Sequence, residues 1–119
     1  MDNITKLNLL FDYYGDFLTK KQKDIFEQYY INDLSLGEIA ENNGITRQGV
    51  HDILRRSQNI LQNFEKKLGM VEKYLVRKKE IEETLRLLEE LEPGLAAGYK
   101  EKYKDVYNRV ASLLKEGGV

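Results

Sequence analysis

Apolar residues along this chain recur at spacings of three and four, the mark of helices with one buried face. Alternation of period two, which would announce strands, never persists beyond a few residues. Leu7, Leu10, Phe11, Tyr14 and Leu18 define a first helix over residues 4–17. Thr19 to Gln22 then reads as a capping box, in which the Thr hydroxyl and the Gln side chain satisfy free backbone N–H groups reciprocally. The helix it opens turns Ile25, Phe26 and Tyr29 inward and is expected to fray near Asn32 and Asp33. A second box, Ser35 to Glu38, starts a short helix carrying Ile39 and Ala40, which Asn43-Gly44 stops. Only Ile45 separates that stop from Thr46, a cap for the next helix. This helix keeps Val50, Ile53, Leu54, Ile60, Leu61 and Phe64 on one stripe and ends near Gly69. At about 20 residues it is roughly 30 Å long.

Beyond Met70 the chain becomes more heavily charged. Val71, Leu75, Lys78, Ile81, Leu85, Leu88 and Leu91 follow helical spacing until Glu92-Pro93-Gly94 breaks it. Tyr99, Tyr103, Val106, Val110 and Leu113 form a 4-3-4-3 series in a last helix, with Gly117 and Gly118 as a frayed tail. The fold class is therefore all-α. Residues 1–69 form one domain, and residues 70–119 form a C-terminal helical extension whose last two helices make an antiparallel pair. Their apolar seam has little core of its own, which points to a homodimer with this extension as the dimerisation element.

The segment from Leu34 to Arg56 has the spacing of a helix-turn-helix. Ala40, Gly44, Val50 and Ile53 stand four, six and three residues apart. Ala40 has to be small where the second helix crosses, Gly44 supplies the positive φ of the turn, and Ile39, Ile45, Val50 and Ile53 fill the wedge.

Charge adds a complication. The chain holds 19 Lys and Arg against 20 Asp and Glu, a formal net charge of −1. A nucleic-acid-binding domain usually carries a basic excess. The acids are not evenly placed, however: residues 46–67 contain Arg47, Arg55, Arg56, Lys66 and Lys67 against Asp52 and Glu65. With no cysteine and one histidine, disulfides, thiolate zinc sites and multi-histidine metal sites are excluded. No phosphate-cradling glycine loop and no convergent catalytic set is present, so neither a cofactor nor an enzyme is implied. No apolar run nears the ~20 residues of a membrane span, and the start lacks a signal peptide's apolar stretch. These features fit a cytoplasmic protein.

The run LTKKQKDIFEQYYINDLSLGEIAENNGITRQGVHDILRRSQNIL resembles the fourth, promoter-reading region of bacterial sigma factors. It shares the Leu-Thr opening, the Leu-Ser-x-x-Glu-Ile-Ala core and the closing Arg-rich helix. The wider stretch from LNLLFDYYGDFLTKKQKDIF through GITRQGVHDILRRSQNILQNFEKKLG resembles the YlxM family still more closely. These are small bacterial helix-turn-helix proteins tied to the signal recognition particle pathway by gene neighbourhood beside the targeting GTPase and its receptor. The resemblance covers about residues 4–90 and stops short of the segment after Pro93. It implies a regulatory or accessory protein that contacts DNA or the particle's RNA. The alternative is a non-catalytic adaptor that docks on the GTPase or its receptor and touches no nucleic acid.

In a helix-turn-helix the first residues of the second helix face base edges while flanking groups hold phosphates. Here those are Thr46, Arg47, Gln48, His51, Arg55 and Arg56, with Asp52 as a local obstacle to phosphate. Arg47 suits guanine, Gln48 suits adenine, and Thr46 or the helix start suits a phosphate. A further cluster, Lys73, Arg77, Lys78 and Lys79, interleaves with Glu72, Glu80, Glu82 and Glu83 and is expected to be a salt-bridged surface. In the doublets Tyr13-Tyr14 and Tyr29-Tyr30, one ring of each is expected in the core with its hydroxyl at the surface, and the other at the rim. Tyr99, Tyr103 and Tyr107 are expected to form a packing seam rather than a base-stacking platform.

Overall fold

The structure, a computed structural model, describes residues 3–116. The glycine tail expected at Gly117 and Gly118 lies outside them. No strand occurs among the described residues. Six α-helices follow in order: α1 (Asn3–Tyr14), α2 (Lys20–Phe26), α3 (Leu36–Asn43), α4 (Arg47–Leu68), α5 (Met70–Leu91) and α6 (Lys100–Glu116). The chain divides into two compact units between Val71 and Glu72.

In the first unit both capping boxes form as the sequence predicts. The Thr19 side chain accepts from the Gln22 N–H and the Gln22 side chain accepts from the Thr19 N–H. Ser35 and Glu38 repeat this at 3.1 Å in both directions. The first helix ends three residues early, at Tyr14, and a 3-10 turn over Gly15–Phe17 carries the chain to Leu18. The second gives way at Asn32, where the sequence places its end. It continues beyond Phe26 as a π-helical turn, Glu27–Ile31, closed by bonds from Asn32 N–H to Glu27 and from Leu34 N–H to Gln28. Asp33 then takes φ +57°, a left-handed conformation uncommon for a side-chain-bearing residue.

The helix-turn-helix core consists of Ile25 from α2, Ile39 and Ala40 from α3, and Val50 and Leu54 from α4. Ile45 and Ile53, half-buried, close its edge. At the turn, Gly44 has φ +65° and its N–H bonds to the Glu41 carbonyl, while the Ile45 N–H reaches the Ala40 carbonyl. These paired bonds satisfy the last carbonyls of α3. Asn43 adds a clamp, donating to the Ile39 carbonyl at 2.7 Å and to Gln28 on the preceding turn at 3.1 Å.

A second cluster joins α1 to the rest of the unit. The Phe11 and Phe26 rings stack at 4.6 Å, and Phe17 stacks on Phe64 of α4 at 4.4 Å. Tyr14 is buried, but its hydroxyl is not at the surface as the sequence suggested. It donates to Glu65 at 2.6 Å and accepts from the Met70 N–H at 3.1 Å. The same Glu65 oxygen accepts from the Val71 N–H at 3.0 Å. The α4–α5 junction explains this arrangement. Gly69, at φ +62°, ends α4 directly against the start of α5, leaving no Ser, Thr, Asp or Asn to cap it. Glu65, near the end of α4, and Tyr14, from α1, supply that cap. Burial and the Glu65 carboxylate both raise the Tyr14 proton affinity above its ordinary value.

In the second unit, α5 and α6 run antiparallel. Ile81 is buried, and it lines a small cleft with Tyr74, Arg77, Lys78, Leu113 and Leu114. At the other end Tyr107 donates to Glu89 at 2.7 Å, and Lys100 donates to the Glu92 carbonyl at 2.6 Å. Tyr103 and Tyr107 pack with ring centres 6.1 Å apart, whereas Tyr99 stands exposed in a 3-10 turn before α6. The ion pairs expected among Arg77, Lys78, Lys79 and the glutamates Glu80, Glu82 and Glu83 do not form among the described residues. These side chains are exposed, so water competes well for each charge.

Three substitutions test these interactions. Tyr14→Phe leaves the Met70 N–H unpaired and should lower unfolding free energy by about 1–3 kcal/mol in urea titration. Ser57→Ala should cost less than about 1 kcal/mol, because that buried hydroxyl bonds only to the Ile53 carbonyl of its own helix. The Glu38 carboxylate is held below its ordinary value of 4.5 by the Ser35 N–H. Its stabilising effect is therefore present above that value and is lost as pH falls through the lower folded one. Glu38→Gln keeps an acceptor but cannot titrate, so its urea midpoint should decline less steeply than the wild type's below pH 4.5.

Candidate nucleic-acid interface

The α4 helix presents two faces of opposite character. Val50, Leu54, Ser57 and Leu61 are buried. On the other side two rows rise one turn at a time: Arg47, His51, Arg55, and beside it Gln48, Asp52, Arg56. Arg47, Gln48, His51, Arg55 and Arg56 are all exposed, so the structure gathers the six predicted residues at one end of α4 and on its open face.

The start of α4 leaves hydrogen-bond donors open. Thr46 accepts from the Gly49 N–H at 2.9 Å, which leaves its own hydroxyl hydrogen to donate outward. The N–H groups of Arg47 and Gln48 precede the first intrahelical bond, which runs from Val50 to Thr46. A Cβ on Gly49 would lie 3.2 Å from the Thr46 hydroxyl and 3.8 Å from Ile45, a close fit around the cap.

Asp52 is not an isolated negative charge. One of its oxygens accepts from Gln48 at 3.1 Å and lies 3.9 Å from His51 Nδ1 and 4.0 Å from Arg55. Three of the predicted residues thus converge on this carboxylate. The pairs are exposed and each contributes little to stability; of the three, Gln48 is held by a hydrogen bond.

Sequence reasoning missed the groove beside this face. A cavity of about 250 Å³ lies between Tyr29, Tyr30 and Leu36 on one side and His51, Leu54, Arg55 and Gln58 of α4 on the other. The two tyrosine rings meet edge to face at 4.9 Å, and the Gln58 amide donates to the Tyr30 hydroxyl. Both rings are half-buried, so this doublet does not divide into one core ring and one rim ring. The π-turn causes this: its extra residue per turn moves both rings to the edge of the core. Nothing in the local sequence marks the turn, and the Tyr30–Gln58 pairing spans 28 positions. Among the described residues no group of three or more His, Cys, Asp or Glu is arranged to hold a metal ion. No helix is long and apolar enough to cross a membrane.

Residues 1–93 match the family model described as "Putative helix-turn-helix protein, YlxM / p13 like", UPF0122. A UPF0122 protein of Desulforamulus reducens is 46% identical over 110 residues, covering 92% of this chain and 94% of that one. A relative from Caldanaerobacter subterraneus is 51% identical over 81 residues, 68% of this chain and 69% of its own. One from Listeria innocua is 45% identical over 78 residues, 66% and 71% respectively.

If the open face of α4 is free of structural duty, its residues can be removed without cost to the fold. Arg47→Ala and Arg55→Ala should each change unfolding free energy by no more than about 0.5 kcal/mol. A larger loss would mark them as structural.

Proposed function

Since the chain belongs to the UPF0122 family of YlxM/p13-like helix-turn-helix proteins, we propose that it is a non-catalytic nucleic-acid-binding accessory protein whose α4 helix makes the contact. The observation that carries this reading is the open face of α4, where Arg47, Gln48, His51, Arg55 and Arg56 stand exposed above an anion-ready helix start. In the docked form the N–H groups of Arg47 and Gln48 and the Thr46 hydroxyl take a phosphate. Arg47 and Gln48 reach base edges, and Arg55 and Arg56 hold the flanking backbone. The resemblance to YlxM proteins supports a place in the signal recognition particle pathway of the cytoplasm, with the particle's RNA or DNA as the ligand.

Net charge of −1 and the partners of Asp52 favour a second reading, an adaptor that docks through the same face onto the pathway's GTPase or its receptor. Fluorescence anisotropy with signal-recognition RNA, random duplex DNA and the GTPase, at two salt concentrations, separates them. Arg47→Ala with Arg55→Ala should weaken nucleic-acid binding and, through the phosphate contact of Arg55, reduce the slope of log K against log salt by about one. Asp52→Asn frees Arg55 and should steepen that slope by about one. Affinity indifferent to all three changes would overturn the reading. Binding to the GTPase alone, persisting in high salt, would establish the adaptor.

A further inference from the structure

The hairpin of α5 and α6 buries only part of the apolar surface that its sequence supplies. In α6 the heptad series splits. Tyr103 and Val110, at one set of core positions, are half-buried, while Tyr99, Val106 and Leu113, each seven residues apart, remain 62%, 43% and 46% exposed. In α5 a second stripe lies away from buried Ile81. Leu87 and Leu91 sit one turn apart, and Val76 lies eleven residues, or three turns, before Leu87. All three are more than half exposed.

Lys73 and Lys79 flank Val76, but toward the connecting turn the two stripes carry opposite charges at their edges. Beside Leu87 and Leu91 stand Glu80, Glu83 and Glu90, which have no ion-pair partner among the described residues. Beside Tyr99 and Val106 stand Lys102 and Arg109, both exposed, the latter held only by its neighbour Asp105 at 3.2 Å. Glu83 and Glu90 of the acidic edge lie in the second half of α5 and the basic edge in the first two-thirds of α6, which are the segments nearest the connecting turn.

We infer that a second copy of this chain docks here, the α6 stripe of each copy lying along the outer α5 stripe of the other to complete a four-helix bundle. One chain carries both the acid-edged and the base-edged stripe, so two copies related by a two-fold axis satisfy both at once. A standard interface takes about 800 Å² from each partner, and six large apolar side chains, each about half exposed, supply a large share of it. Charged residues at the edges of a heptad seam select partner and orientation.

Sedimentation equilibrium of the full-length protein at micromolar concentration should give twice the chain mass of 13.9 kDa. Reversing the acidic edge (Glu83→Lys with Glu90→Lys) should weaken association about tenfold or more. Reversing the basic edge (Lys102→Glu with Arg109→Glu) should do the same, and combining all four changes in one chain should restore the dimer. Helicity by circular dichroism, unchanged throughout, shows that these exposed changes leave the fold intact. A monomer at every concentration overturns the inference. So does a dimer indifferent to either reversal, or one that the combined reversal fails to restore.

Discussion

Every backbone N–H withdrawn from water needs a partner, and at the corner between α4 and α5 the usual capping residue is missing. Gly69 ends one helix and the next begins immediately, so no Ser, Thr, Asp or Asn stands before the first amides of α5. The Tyr14 hydroxyl and the Glu65 carboxylate fill that place, and Tyr14 belongs to a helix more than fifty residues earlier. The position of α1 is set by this demand as much as by hydrophobic contact. With α1 docked, Phe11 covers Phe26 and Phe17 covers Phe64, which closes the side of the unit that α3 does not reach. The helix-turn-helix is thereby held as part of a larger body.

The sequence was most legible where structure depends on neighbours a few residues apart. Both capping boxes, the Gly44 stop, the Thr46 cap and the buried stripe of α4 follow from such short-range rules, and each is found. The six residues proposed for the reading face were also within reach, because one helical period places them together. Longer-range pairings were not legible. The Tyr14–Glu65 bond closes over 51 positions and the Tyr30–Gln58 bond over 28. The π-turn was invisible for another reason. It is a choice between i→i−4 and i→i−5 bonding that side-chain pattern does not encode, and it moved Tyr29 and Tyr30 from a routine core assignment to the wall of a groove. Charge patterns misled in α5, where suitable spacing of Arg77, Lys78 and Lys79 with Glu80, Glu82 and Glu83 produced no ion pair among the described residues.

The near-balance of acids and bases also takes on a different meaning in three dimensions. Asp52 stood in the sequence as an obstacle to phosphate. In the structure one of its oxygens accepts from Gln48 and lies 3.9 Å from His51 and 4.0 Å from Arg55, so its charge is met in part by neighbours on the same helix.

One feature of α4 has a mechanical side. Its first half is packed with α2 and α3 through Val50 and Leu54, and its second half meets α1 through Phe64 and Glu65. From Val50 to Leu68 it contains neither glycine nor proline, the usual sites of bending. A single stiff rod thus runs from the exposed arginines to the corner where Tyr14 and Glu65 hold the start of the next helix. A rod without a hinge does not absorb a tilt; it transmits it. Leverage applied at the outward face arrives at the far end as a pull on a short chain of hydrogen bonds, the part of the unit least able to deform without losing one.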